Sequence, residues 1–379
     1  MIKNKFILVL AVSLVLISAV FGFDAHKYFS DKESGDIKEE IEIEIMNGEG
    51  DSIEDSIEEE IEEDIIENDA EQVEVSKEQE ADPEEPEEIV ETPPVIPEIL
   101  PLPKVKMDDL DGLRIGFITD LHVRSNSDGI GNRILKPAFV ERINYFIEKM
   151  NNSFVPNFII ANGDIIEGTN ASPEKGIAEL SLVKKIFDRT TLKKYWVVGN
   201  HDLRSVNKNQ FMQSLDIDYV SKSFETGNYK IIILDSNFKS DNSNIVPGKY
   251  HTRGHVSEKQ IKLLKKELEN TDKRKIVFLH HPPLWNVNGK SNNGFPDNAK
   301  KLQEIFSQNK VFAVFAGHIE DLFLQEIDGV KYFVSPGIVK NEKYQGAFSE
   351  ITIKKEQLII EMSYLKNDGS YRTIRIKED

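Results

Sequence analysis

Short apolar runs recur from Leu113 onward, each too brief for a buried helix and each closed off by polar residues. "LRIGFIT", "FII", "YWVV", "YKIIILD", "KIVFLH", "VFAVFA" and "VKYFVS" are apolar at successive positions and rich in β-branched and aromatic side chains. That is the pattern of strands covered on both faces. Between them, residues 138–150, 174–187 and 258–268 space their apolar side chains at helical intervals, and Ser257 with Gln260 predicts a capping box opening the last of these. The tail, "FSEITI", "QLIIEMSYL" and "YRTIRI", predicts consecutive strands with a turn at "NDG". Strands alternating with helices and followed by a strand meander confine the chain to an α/β domain of layered sheets.

Nothing of this kind precedes residue 104. Residues 31–98 hold 30 acidic residues against 3 lysines. So little apolar surface does not offset chain entropy, and the segment reads as a self-repelling, disordered spacer. Ile53, Ile57, Ile61 and Ile65 recur every four residues, which leaves a short oligomerisation helix as the alternative. Prolines crowd residues 82–103 and predict a stiff, extended tether. The formal charge of −19 resides in this ribbon; outside it stand 44 basic and 36 acidic residues, a balance that suits an anionic ligand.

At the start, Lys3 and Lys5 precede an uncharged apolar run from Phe6 to Phe23. Its length meets the lower bound for a membrane span, and the positive-inside rule places everything after it on the outer side. The expected organisation is a membrane anchor over residues 1–30, a disordered linker over 31–103 and a folded, extracytoplasmic domain over 104–379. A signal peptide cleaved to release a secreted protein is the alternative. The chain has no Cys, which excludes disulfides, thiolate metal sites, a Cys nucleophile and a lipoprotein anchor.

The polar residues collect where the apolar runs end. Asp120 and His122 follow the first, Asp164 the second, and Asn200, His201 and Asp202 the third; His280 and His281 follow a later run, and His318 and Glu320 the next. In open α/β sheets that edge binds ligands. A lone Asp-x-His arises by chance, and a single buried His is more often a satisfied core residue than a ligand. Yet five of the chain's 8 histidines fall in these motifs. Carboxylates, imidazoles and one carboxamide suit Mn, Fe or Zn. The donors are too many for one ion, whereas two metal ions sharing a bridging carboxylate would use them all. Two ions about 3.5–4 Å apart clamp a phosphoryl group and lower the pKa of a water between them, whose hydroxide then attacks phosphorus in line.

"DLH", "GD", "GNHD", "HHPP" and "GHIE" together resemble the motif series of the calcineurin-like metallophosphoesterases, over residues 113–340. "GNHDLR" and the passage from "YKIIILDSN" to "HTRGHVSEKQIKLLKKEL" resemble the branch of cyclic-nucleotide-phosphodiesterase-like enzymes. The resemblance implies a layered αββα sandwich of two mixed sheets flanked by helices, and a metal-dependent phosphoesterase that takes a small phosphate-ester substrate. A phosphodiester is favoured, with a phosphomonoester or nucleotide as the alternative. It further implies that Asp164 bridges two ions, that Asp120 and His122 hold the first, and that Asn200, His280 and His318 hold the second. His201 would protonate the leaving alkoxide or clamp the phosphate, Asp202 would orient His201, and His281 would be a neighbour of the site.

One position departs from the family. Its members read G-H-x-H where this chain reads G-H-I-E, so Glu320 stands where the last ligand of the first ion belongs. Glu320 as an oxygen donor would harden that shell toward Mn or Fe, and Asp321 is the other donor within reach. A solvated Glu320 would instead leave the first site weakened and the fold a surface binding module. A purple-acid-phosphatase-like monoesterase lacks its Tyr, since Glu167 occupies that place in "GDIIEG". His251 and His255 are cleft or surface-loop residues, Arg204 a phosphate contact or a surface ion pair, and Trp285 a stacking or packing residue. Substrate choice falls to loops 125–136 and 286–295. No basic stripe marks a reader of duplex nucleic acid, and nothing in the pattern sets an oligomeric state.

Overall fold

The structure, a computed structural model, describes residues 112–125, 138–284, 286–287, 290–291, 294–338 and 343–378. The expected anchor, acidic ribbon and proline-rich tether lie outside these residues, as do Trp285 and most of the 125–136 loop. Among the described residues no helix is long and apolar enough to cross a membrane.

In chain order the first half comprises β1 (Leu113–Ile118), α1 (Ala138–Lys149) ending in a π-helical turn (Met150–Phe154), β2 (Phe158–Asn162), α2 (Pro173–Phe187), β3 (Lys194–Val197), α3 (Asp202–Ser205) and α4 (Lys208–Leu215). The second half begins with β4 (Lys222–Thr226), β5 (Tyr229–Ile233), α5 (Glu258–Glu269) and β6 (Arg274–Phe278). The two-residue strands β7 (Asn286–Val287) and β8 (Lys290–Ser291) follow, then α6 (Ala299–Gln308), β9 (Val311–Ala316), β10 (Phe323–Ile327) and β11 (Val330–Val334). A meander of β12 (Phe348–Lys354), β13 (Gln357–Leu365) and β14 (Tyr371–Glu378) ends the chain.

These strands build two six-stranded sheets, ordered β14-β13-β12-β1-β2-β3 and β10-β11-β9-β6-β5-β4. Both are mixed. β1, β2 and β3 are parallel, as are β5, β6, β9 and β11, while the meander, β10 and β4 pair antiparallel at the edges.

The period-2 alternation of each strand explains why its sequence reads as a continuous apolar run. Along β2, Phe158 and Ile160 face the other sheet, whereas Ile159 and Ala161 face helices α1 and α2. Along β6 and just beyond it, Ile276 and Phe278 face the first sheet, whereas Val277 and Leu279 face α5 and α6. Three cores therefore stack in the order helix, sheet, sheet, helix, which is the layered sandwich the sequence implied. Phe117, Phe278, Phe315 and Phe333 fill the layer between the sheets, with the Phe278 and Phe315 rings 5.2 Å apart. Each buried ring contributes about 1.5–3 kcal/mol, and truncating one to Ala costs about 3–5 kcal/mol.

The caps hold one correction. Ser257 accepts the Gln260 N–H at the start of α5, but the Gln260 carboxamide is committed to Ser221 and Asp235, so only half the expected box forms. A complete box opens α4 instead, between Asn207 and Gln210.

Candidate metal centre

Where β1, β2, β3, β6 and β9 end, the two sheets present their polar residues to one another. Parallel backbone pairing continues past the strands and sets the spacing: Asp120 N–H donates to Gly163 O (3.0 Å) and His122 N–H to Asp164 O (2.9 Å). Within the second sheet, Gly317 N–H donates to His280 O (3.0 Å), and across the layers the Asn162 carboxamide straps the first sheet to Leu279 O (3.0 Å). To turn side chains inward at these ends the backbone enters the left-handed region at Asp120, His122, Asp164, His318 and Glu320, with φ between 42° and 71°. Asp tolerates this region better than most residues and Glu poorly, so the geometry stores strain of order 1–3 kcal/mol per residue where the donors sit. Two glycines admit the close approach. A Cβ on Gly199 would lie 2.1 Å from the Asp164 nitrogen, and one on Gly317 would lie 2.3 Å from an Asp120 oxygen.

The side chains converge through their lone pairs. His280 Nδ1 faces Asn162 O (3.0 Å), an acceptor, so that nitrogen carries the proton. His280 Nε2 then points its lone pair at two further acceptors, Asp164 Oδ2 and Asn200 Oδ1, both at 3.2 Å. The Asn200 amide is oriented by donation to His251 O (2.9 Å), which leaves its oxygen facing the centre. His122 repeats the arrangement. Its Nδ1 faces Glu167 Oε2 (2.9 Å), while Nε2 lies 3.2 Å from Glu320 Oε1, 3.6 Å from Asp164 Oδ2 and 3.9 Å from Asp120 Oδ1. Both His122 Nε2 and His318 Nδ1 are buried with no hydrogen-bond partner. Buried acceptors that face one another require a proton or a cation between them.

Among the described residues, three groups have donors that lie within 4.8 Å of one another: Asp120, His122 and Glu320; Asp164, His280 and His318; and His122, Asp164 and His201. The first two share no residue but adjoin through Asp164 Oδ2, which sits between the imidazoles of His122, His201 and His280. The residues fit a metal centre, and oxygen with imidazole nitrogen is the donor set for Mn, Fe or Zn.

Electrostatics point the same way. Burial alone would raise Asp164, but the imidazoles of His280, His201 and His122 hold it well below the usual carboxylate range. Burial opposes the charged forms of His122 and His280, yet the surrounding carboxylates carry His122 well above its ordinary value and Asp164 carries His280 up to about 9. Burial together with the His280 charge pushes His318 down to about 3. A centre that draws protons onto two of its imidazoles has an excess of negative charge that a cation neutralises.

The expected ligands therefore come together, Glu320 among them. Asp321 does not: it is exposed and caps Leu322 N–H (2.7 Å). His281 has both ring nitrogens engaged, Nδ1 with Ser236 Oγ (2.8 Å) and Nε2 with Thr252 O (3.1 Å), and burial lowers its pKa further. Asp202 takes a different place from the one expected. Its oxygens accept from Ile166 N–H (2.9 Å) and Gly199 N–H (2.8 Å), while burial and the nearby Asp164 push its pKa to about 7. It is Glu167 that meets His201, through Nδ1 at 3.0 Å. His201 N–H also donates to Asp164 Oδ1 (2.8 Å), and burial lowers its pKa. His255 is bound to Asp297 and Asn242, outside the three groups. Arg204 is buried, donates to Thr169 Oγ1 (2.6 Å) and lies 4.3 Å from the Tyr250 ring, so it is no surface ion pair.

The family model of the calcineurin-like phosphoesterases matches residues 113–319. A probable cyclic nucleotide phosphodiesterase of Pseudoalteromonas sp. (strain SM9913) is 26% identical over 229 residues, covering 59% of this chain and 77% of that protein. A probable glycerophosphodiester phosphodiesterase of Arcobacter nitrofigilis is 27% identical over 172 residues; the match covers 44% of this chain and 56% of that protein. Among solved structures, a dimetal phosphatase from Danio rerio superposes with a TM-score of 0.56 at 15% identity, over 70% of this chain and 99% of the other. That likeness is one of fold.

Proposed function

The chain belongs to the calcineurin-like phosphoesterase family, and from that premise we propose that this hydrolase of phosphoric esters acts first on phosphodiesters, at a centre of two metal ions. The convergence of the buried acceptors of His122, His280, Asp164 and Asn200, with the half-buried Glu320 carboxylate, carries the reading. Metal bound at this centre would supply Lewis acidity toward the phosphoryl oxygens and lower the pKa of a bound water. Asp120, His122 and Glu320 would hold the first ion, and Asn200, His280 and His318 the second, with Asp164 beside both groups. Glu320 lies close enough to His122 Nε2 to share its ion, in the place a His fills in the family.

His201 holds a proton for the leaving group. Its Nδ1 faces only acceptors, Glu167 Oε1 and Glu167 O, and so keeps its own proton, whereas Nε2 lies toward Asp164 and hands over a proton only from the imidazolium form, in which both nitrogens are protonated. As the bond from phosphorus to the ester oxygen breaks, that oxygen takes the electron pair and the Nε2 proton. Diesters are placed first because both curated relatives carry phosphodiesterase names.

The test is metal content with hydrolysis of bis-p-nitrophenyl and mono-p-nitrophenyl phosphate by Mn-loaded protein, before and after chelation. Two ions per chain, faster diester hydrolysis and loss of turnover with chelator are the expected results. A single ion, or faster monoester hydrolysis, overturns the finer assignment; a chain that turns over neither ester is a binding module. On sequence alone, the run from Phe6 to Phe23 behind Lys3 and Lys5 anchors the enzyme in a membrane with the domain outside. Recovery of the full-length chain in the salt-washed soluble fraction sinks that assignment.

A further inference from the structure

Among the described residues, the large apolar side chains that stand exposed are Val246, Tyr250 and Leu263. The first two share one loop, and that loop borders the metal centre. Its backbone is tied there: the Asn200 carboxamide donates to His251 O (2.9 Å), and Gly248 N–H donates to Arg204 O (2.8 Å), in the short helix that follows His201. Tyr250 is 73% exposed, yet its ring is held. The Arg204 guanidinium lies over it, 4.3 Å from the centroid. Arg204 is buried, with Nη1 donating to Thr169 Oγ1 (2.6 Å), while Nε and Nη2 have no hydrogen-bond partner. A desolvated guanidinium so placed is drawn to the negative face of the ring. The same Nη1 stands 3.5 Å from Glu167 Oε1, which in turn lies 3.0 Å from His201 Nδ1, so a few contacts link the rim to the centre.

Arg204 covers one face of the Tyr250 ring, and the other faces water. An uncovered aromatic face contributes nothing to the fold, but a second ring laid on it removes apolar surface from water and stacks. Because the guanidinium already fixes the ring, such stacking costs little further ordering. We propose that Tyr250, backed by Arg204, is the specificity surface of the centre: it stacks on an aromatic ring carried by the alcohol of the ester. Ring-bearing phosphate esters are then bound better than aliphatic ones of the same charge. The proposal rests on the phosphoesterase reading and deepens it. A phosphoryl group is common to every such substrate, whereas the rim ring selects among the groups attached to it. Val246 adds a second exposed apolar group to the same loop.

The probes are phenylbutylphosphonate and butylphosphonate, which share one anionic head, differ only in the ring, and resist hydrolysis because carbon replaces the ester oxygen. Calorimetry on Mn-loaded protein gives a dissociation constant for each. Wild type is expected to bind the phenyl probe on the order of tenfold to a hundredfold more tightly, the range of one stacked ring. Tyr250→Ala should bring that ratio to within about threefold of unity, while Tyr250→Phe, which keeps the ring, keeps the ratio. Tyr250→Leu should fall between them, since it offers apolar contact without a stacking face. A wild-type ratio near unity overturns the proposal, and so does a ratio that Tyr250→Ala leaves unchanged. A Leu variant that matches the Phe variant overturns stacking, because plain apolar contact would then suffice. Failure of the underlying reading looks different. A wild-type chain with no Mn-dependent turnover of either p-nitrophenyl ester sinks the phosphoesterase reading, whereas one with turnover and no ring preference sinks only the proposal.

Discussion

The same strands begin at one edge of the sandwich and end at the other, and the two edges differ in how their polar groups are satisfied. At the beginning lies a groove of about 950 Å³ lined by Lys273, Arg274, Lys275, Lys310, Lys355 and acidic partners. Its charges reach water or one another: Lys273 pairs with Glu225, and Arg274 pairs with Glu356 while lying over Phe312. Its turn glycines, Gly227 and Gly329, have open space where a Cβ would go. At the other edge the donors are buried, several lack partners, and the glycines are pressed against them. A groove of this size is therefore no mark of the chemistry. Chemistry sits where the fold holds acceptors together without the proton or cation that would satisfy them.

That contrast breaks if equivalent changes at the two edges have equal effects. The largest difference is expected for Asp164→Asn, which removes the buried charge that lies between His122, His201 and His280. Turnover of bis-p-nitrophenyl phosphate should fall by about 10³-fold, as loss of several kcal/mol of metal-derived stabilisation implies. Next come paired glycines. Gly199→Ala forces a methyl into the Asp164 backbone and should cost about 3 kcal/mol or more by denaturant unfolding, against about 1 kcal/mol for Gly329→Ala, whose penalty is its positive φ alone.

A smaller effect, on the order of 1.4 kcal/mol per pH unit, is expected for metal affinity. His280 is raised to about 9 and His122 is also raised, so both favour the protonated form in metal-free protein at neutral pH. A cation must displace those protons. Mn affinity should rise about tenfold per pH unit for each proton displaced, up to about pH 9, and level off above it. Calorimetry in buffers of different ionisation enthalpy counts the protons, and a pH-independent affinity contradicts the charge excess inferred for the centre. The smallest effect belongs to the groove. Reversing Lys310 and Lys355 to Glu should leave turnover within about twofold and stability within about 0.5 kcal/mol.

The sequence made the interior plain because its signals are local. A strand buried on both faces must be apolar through its buried stretch: β9 is apolar throughout, and β1, β2, β5, β6 and β11 are apolar except at Arg114, Asn162, Lys230, Arg274 with Lys275, and Lys331. Edge strands carry no such demand. "KSFET" in β4 and "FLQEI" in β10 are half polar, and only the partner strand reveals them. Helix α6 did carry a helical spacing, in Leu302, Ile305 and Phe306, beside a lysine-rich start that obscured it. The ligands were legible because each ends a strand. Glu167 was not: its partners lie 45 and 34 residues away, and only the closure of two strand-end loops brings them to one carboxylate. Asp202 was misplaced for the converse reason, since adjacency to His201 in the chain does not make the two side chains meet.

Neither of the two proposed ion sites lies on one sheet alone. Asp120, His122, Asp164 and Asn200 follow strands of one, whereas His280, His318 and Glu320 follow strands of the other. A bound ion would thus clasp the two sheets together at the edge where the aromatic layer gives way to polar groups. Binding only the docked sheets, ions at a hundred times their dissociation constant would add about 2.7 kcal/mol against unfolding. The catalytic ions would then double as a lock on the architecture that assembles them, and starving the protein of metal would loosen the two halves as well as silence the chemistry.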